Sequence, residues 1–278
     1  MDKLLFAILF TILIIIGSKN FTLIKRYKQN KYYIDCYQNI LHNKEHCYED
    51  IVNYIKYEKT EEYKNKARII QLYYELENDI DITNTFESLN IRYIFCKKGI
   101  LDNSLVNLNA DSFVFIILAM IKAYSKNNNK LVEDLSNKLK EIENFDKRLE
   151  YQLILAIEDA LIGTKSAGCE FMKRVLDGDY TDYKYEKNMI GLYKRTASSI
   201  LAFNNEDFDE YFRNDLHSYA KSLIGETMLK SLGIYETYKP IEEEEEKQEV
   251  VEEVEEPKNE EATEQIAQEE TNKEENNQ

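Results

Sequence analysis

Apolar residues recur at helical spacing along the middle of this chain, and the polar interruptions between them are short. On a wheel of about 100° per residue with Cys36 at zero, Tyr33, Tyr37, Ile40, Tyr48, Ile51 and Ile55 share one stripe. Cys47 flanks that stripe beside Cys36, so Tyr32–Tyr57 is expected to form one amphipathic helix of about seven turns. Lys66–Leu76 continues the helical pattern through Ile69, Ile70, Leu72, Tyr73 and Leu76. Asp79-Ile80-Asp81 reads as a turn, and Thr83-Asn84-Thr85 as the N-cap region of a helix over Phe86–Lys98 that Gly99 would end.

Asp111-Ser112 reads as the N-cap of the apolar run Phe113–Ile121. That run is too short to cross a bilayer and suits a helix buried on all sides. Asn127-Asn128-Asn129 ends it, and Leu131, Leu135, Leu139 and Ile142 mark a following helix with one apolar stripe. The same arrangement then recurs. Leu149–Ile162 breaks at Gly163-Thr164 and is followed by Phe171, Met172, Val175 and Leu176. Met189–Phe203 breaks at Asn204-Asn205 and is followed by Phe208, Phe212 and Leu216. The breaks are spaced by about 35 and then about 41 residues, a period typical of stacked helix pairs.

Composition agrees with helices. Only 8 Gly and 2 Pro occur in 278 residues, too few for the turns of a sheet-rich fold. The four cysteines, Cys36, Cys47, Cys96 and Cys169, are too scattered for a disulfide framework and are expected to be buried free thiols. The formal charge of −16 is unevenly placed: Glu242–Gln278 holds 17 Glu and 3 Lys, leaving the rest of the chain close to neutral. This segment has no aromatic residue and few large aliphatics, so it is expected to stay disordered.

Leu4–Gly17 is an apolar run whose only polar residue is Thr11. Extended through Phe21, Leu23 and Ile24, with Lys19 snorkelling, it reaches a spanning length. A signal peptide would look similar, but no A-x-A-like cleavage site follows, which favours an uncleaved anchor. Lys19, Lys25, Arg26, Lys28 and Lys31 stand after the run and only Lys3 before it. This asymmetry favours a body on the cytoplasmic side. The alternative is an exported, extracytoplasmic helical protein. The expected organisation is therefore all-α: a membrane anchor over 1–24, a basic juxtamembrane segment and amphipathic helix over 25–60, a helical-repeat body over 61–239, and a disordered acidic tail over 240–278.

Over Ser112–Tyr219 the period and helix pairing resemble the tetratricopeptide-repeat superfamily. With Ala156 at that family's small position in the first helix, Gly168 and Met172 fall at the small and aromatic positions of the second. Asp159 stands where the family has tyrosine, and the chain has no Trp. The resemblance implies an α-solenoid that binds other proteins in a concave groove.

Three groups of residues invite a chemical reading. His42 and His46 share one side of a helix, as a metal pair requires, with Cys36 and Cys47 nearby. On the wheel the histidines face solvent and the cysteines the core, so a shared site would need the helix to break. Gly163–Gly168 has phosphate-loop residue types in the wrong order and between helices, and reads as a turn. Ser218-Tyr-Ala-Lys221 matches S-x-x-K without its companion elements, and His217 has no evident nucleophile and carboxylate around it. No catalytic, cofactor or metal residue is assigned. Nucleic-acid binding is not expected, since no basic stripe exists beyond the juxtamembrane cluster. The expected function is a membrane-anchored, non-enzymatic adaptor with protein partners, the acidic tail serving as spacer or lure for a basic partner. An enzyme of unrecognised type is the third reading.

Overall fold

A computed structural model describes residues 35–93 and 108–240. The expected anchor, the basic cluster Lys19–Lys31, Cys96, Gly99 and the acidic tail from Ile241 lie outside these residues. Within them the chain is all-helical. Residues 35–41 form α1, followed by α2 Cys47–Tyr57, α3 Glu61–Glu77, α4 Thr83–Ser88, α5 Leu108–Ser125, α6 Asn129–Lys140 and α7 Leu149–Leu161. Next come α8 Lys165–Asp177, α9 Ile190–Phe203, α10 Glu210–Ala220, α11 Leu223–Ser231 and α12 Tyr235–Tyr238. The only non-helical ladder contact among the described residues is one parallel bridge between Arg148 and Lys184. No helix among them is long and apolar enough to cross a membrane.

The apolar run of α5 is the centre of the body. Every residue from Phe113 to Ile121 is at most 2% exposed. The helix is covered on several sides because α3, α6, α7 and α11 all pack on it. Its rings show two of these directions: Phe115 meets Tyr73 edge-on at 5.7 Å, and Phe113 meets Tyr193 of α9 at 5.4 Å. Around it the helices pack in chain order, α2 on α3, then α5 with α6, α7 with α8, α8 with α9, and α9 with α10. The packing of α11 on α5 adds a contact between elements far apart in sequence.

The helix pairs are joined where the chain reverses with few glycines. Asn127, Asn144 and Asn205 take left-handed backbone angles (φ 58°, 59° and 56°), which Asn adopts more readily than other side-chain-bearing residues. Asn128 then caps α6, its side chain accepting from the Leu131 N–H at 3.2 Å. The asparagine-rich breaks near 128 and 204 are thus seen as chain reversals, and Gly163-Thr164 lies in the turn between α7 and α8.

Three expected elements differ. The helix over Tyr32–Tyr57 is broken at 42–46, where Asn43 (φ 49°) and His46 (φ 64°) turn the chain left-handed. Both pieces keep their apolar faces inward: Cys36, Ile40, Cys47, Ile51 and Tyr54 are buried. The helix expected over Phe86–Lys98 is instead α4, which ends at Ser88, with a 3₁₀ turn over Ile91–Tyr93. Tertiary contacts stop it. Buried Asn65 accepts from the Asn90 N–H at 2.7 Å, and Lys138 donates to the Leu89 carbonyl at 3.2 Å. Finally, Asp111 and Ser112 are not caps but lie inside α5, which starts at Leu108, and both are buried.

Candidate interaction surface

Several polar and charged side chains of this body tie one helix to another. Glu150, fully buried at the start of α7, accepts from Arg148 Nη2 at 3.0 Å and from the Tyr193 hydroxyl at 2.8 Å. Burial, then the charge of Glu150, pushes the Tyr193 hydroxyl far up. Lys165 donates to the Asn204 carbonyl at 2.9 Å, and Lys173 pairs with Glu206 at 2.8 Å, joining α8 to the turn after α9. In α3, buried Lys66 pairs with Glu62 at 3.5 Å. Asp111 belongs to the same neighbourhood: burial pushes its carboxyl up to about 7, and the charge of Lys66 opposes that shift.

A fourth network lies beneath an open surface. Glu75, 2% exposed on α3, accepts three hydrogen bonds at Oε1: from the Tyr48 hydroxyl at 2.8 Å, Gln71 Nε2 at 2.7 Å and Thr85 Oγ1 at 2.9 Å. These fasten α2 and α4 to α3, and burial together with Glu75 raises the Tyr48 hydroxyl. The other carboxylate oxygen, Oε2, is buried without a hydrogen-bond partner.

Above this network runs a shallow groove of about 300 Å³. Val52, Ile55 and Lys56 of α2 form one wall, Arg68 and Gln71 of α3 the floor, and Asn84, Thr85 and Ser88 of α4 the other wall. Val52 is one of the few large apolar side chains more than a third exposed among the described residues. The lining holds two cations and no acid. Arg68 is within 3.6 Å of Glu61, while Lys56 reaches over the Tyr57 ring at 5.4 Å.

The residues singled out by sequence are not brought together. Cys36 and Cys47 are buried free thiols, as is Cys169, while His42 and His46 are exposed, His46 lying 3.4 Å from Glu49. The helix does break between the two histidines, yet the break leaves the cysteines inside and the imidazoles outside. Among the described residues, no group of three or more His, Cys, Asp or Glu is arranged to hold a metal ion. Gly163–Gly168 is the α7–α8 turn and first turn of α8, with Gly168 buried against α7. Ser218 and Lys221 are exposed at the end of α10, and His217 packs against the Tyr238 ring at 5.3 Å.

The groove itself was not anticipated. One signal was available: Val52 falls about 160° from Cys36 on the wheel, an aliphatic residue off the apolar stripe. Comparisons with protein-family models, curated proteins and solved structures find no match for this chain. What the fold defines is an all-helical protein built around one buried helix.

Proposed function

We propose that this chain is a non-enzymatic adaptor, anchored in a membrane through Leu4–Gly17 with its body on the cytoplasmic side, and that the body receives another protein. The observation that carries this reading is the α2–α4 groove, where Val52 is exposed on the wall beside half-buried Ile55. An apolar side chain left open at the edge of a cleft is a feature of interaction sites. The ties through Glu75 favour the same reading, because they hold the two walls to the floor before any partner arrives. We also read α5–α6, α7–α8 and α9–α10 as diverged tetratricopeptide-like hairpins. The close fit of Gly168 against Ala156 supports this, since small residues at those two positions are what the resemblance implies.

The test uses the full-length chain in membranes, with a photo-crosslinking amino acid at Val52 or, as control, at exposed Glu170. A discrete adduct with another polypeptide is expected from position 52 only. Equal labelling from both positions, or none, would overturn the adaptor reading. Resistance of the chain to carbonate extraction tests the anchor. Maleimide access to an exposed Lys59→Cys in intact cells tests the side of the membrane.

A further inference from the structure

We infer that the α2–α4 groove receives a segment of another protein that offers an aliphatic side chain beside a carboxylate. This rests on the interaction reading above and specifies its partner chemistry. The apolar part follows from Val52, exposed on the α2 wall beside half-buried Ile55, whose methyl groups need a hydrocarbon to cover them. The acidic part follows from the rim. Lys56 and Arg68 are the charged residues of the lining, with no acid to balance them within it. Arg68 shares its charge with Glu61, whereas Lys56 has no carboxylate within ion-pair distance among the described residues. Lys56 is therefore the cation available to a partner, and a carboxylate there would gain from charge complementarity.

Other occupants fit worse. The groove is open and at the small end of the range for small-molecule pockets, without several polar groups converging on one point. An anionic membrane or nucleic acid would need a broader cationic face, whereas the lining supplies two cations, one of which, Arg68, already lies 3.6 Å from Glu61 at the start of α3. That leaves one cation, Lys56, which suits a single carboxylate better than a polyanionic surface. Asn84 on the α4 wall supplies an uncharged amide suited to the backbone of a peptide, while Gln71 and Ser88 donate to Glu75 and to the Thr85 carbonyl.

The test is selection of a phage-displayed random dodecapeptide library on the full-length chain in detergent micelles. Binding of the selected peptides is then measured on Val52→Asp, Lys56→Glu and Arg68→Gln variants. Val52 and Lys56 are exposed and Arg68 is half-buried in the floor, and circular dichroism checks that each variant is folded. The selected peptides are expected to share an aliphatic residue next to Asp or Glu. Val52→Asp and Lys56→Glu should each weaken them by roughly tenfold or more, an effect that shrinks at high salt. A consensus without an acid, or binding indifferent to Lys56→Glu, would overturn the partner chemistry while loss on Val52→Asp keeps the groove as a docking site. No enriched peptide, or peptides indifferent to Val52→Asp, would overturn both.

Discussion

Gly168 in α8 lies directly against the backbone of Ala156 in α7: a Cβ at position 168 would come within 2.4 Å of the Ala156 carbonyl oxygen and 2.7 Å of the Ala160 N–H nitrogen. The two helices cross where neither has a side chain large enough to separate them, and Ala156 and Ala160 are both buried there.

Gly168→Ala should therefore destabilise the protein even though Ala is the better helix former. The propensity gain is about 1 kcal/mol, while forcing a methyl group into backbone atoms costs about 1–3 kcal/mol or more. Gly168→Val should be worse. Chemical denaturation followed by circular dichroism gives the sign. An alanine variant as stable as the parent would mean that the helices can part at no cost.

Ile117 supplies a second check, on the buried helix. It is wholly inaccessible in the middle of α5, and an aspartate there would be an unpaired charge surrounded by hydrocarbon. Ile117→Asp should cost several kcal/mol or prevent folding. Ile117→Val, which removes one methylene, should cost about 0.5–1.5 kcal/mol and leave the fold intact. Thermal melts of the two variants beside the parent would separate burial from general fragility, and a folded, stable Asp variant would refute the central position of α5.

A third expectation concerns pH. The Asp111 carboxyl ordinarily titrates at 3.8 and is raised to about 7 in the folded body, so the folded state holds this proton more tightly than the unfolded chain. Stability should then fall as pH rises from about 4 to about 7, and level off above. Glu62, raised by burial against the pull of Lys66, acts in the same direction. Asp111→Asn cannot ionise, so its melting temperature should exceed that of the parent at pH 8 and approach it near pH 4. Lys66 has Glu62 at 3.5 Å as its own partner, so the substitution does not leave it unpaired. Lower stability of Asp111→Asn at pH 8 would show that the attraction of the Lys66 charge outweighs the burial of the carboxylate.

Much of the architecture was legible because it depends on local periodicity. The runs around Ile69–Leu76 and Leu149–Leu161 repeat at 3.6 residues, Phe113–Ile121 is continuously apolar at a length that suits a buried helix, and asparagine pairs mark reversals by their tolerance of the left-handed region. The misreadings arose where distant contacts overrode a local pattern. Nothing near Phe86 announces that Asn65, far earlier in the chain, will capture the Asn90 N–H and stop α4. A wheel cannot show a break at Asn43 and His46 when both halves keep the same apolar face. The groove was invisible for a related reason. Val52 stands off the apolar stripe of its helix, but Arg68 and Thr85 are unremarkable in theirs, and the three become a site only when α2, α3 and α4 meet.

The last expectation concerns the acidic tail. Glu242–Gln278 carries 17 Glu and 3 Lys with no aromatic residue, so it offers little apolar surface to bury. Deleting Ile241–Gln278 should leave the melting temperature of the remaining chain within a degree or two of the parent. Association with a basic partner should respond differently, because a dense run of exposed carboxylates attracts cations over a distance. Salt screens that attraction over about 8 Å at physiological ionic strength. Binding of a synthetic oligolysine peptide to the intact chain should thus be strong at low salt and weak at 0.5 M salt, and nearly lost on truncation at either. If the intact and truncated chains bind it equally at low salt, the tail is no lure for basic partners. Its charge would then act only through solubility and spacing from neighbouring molecules.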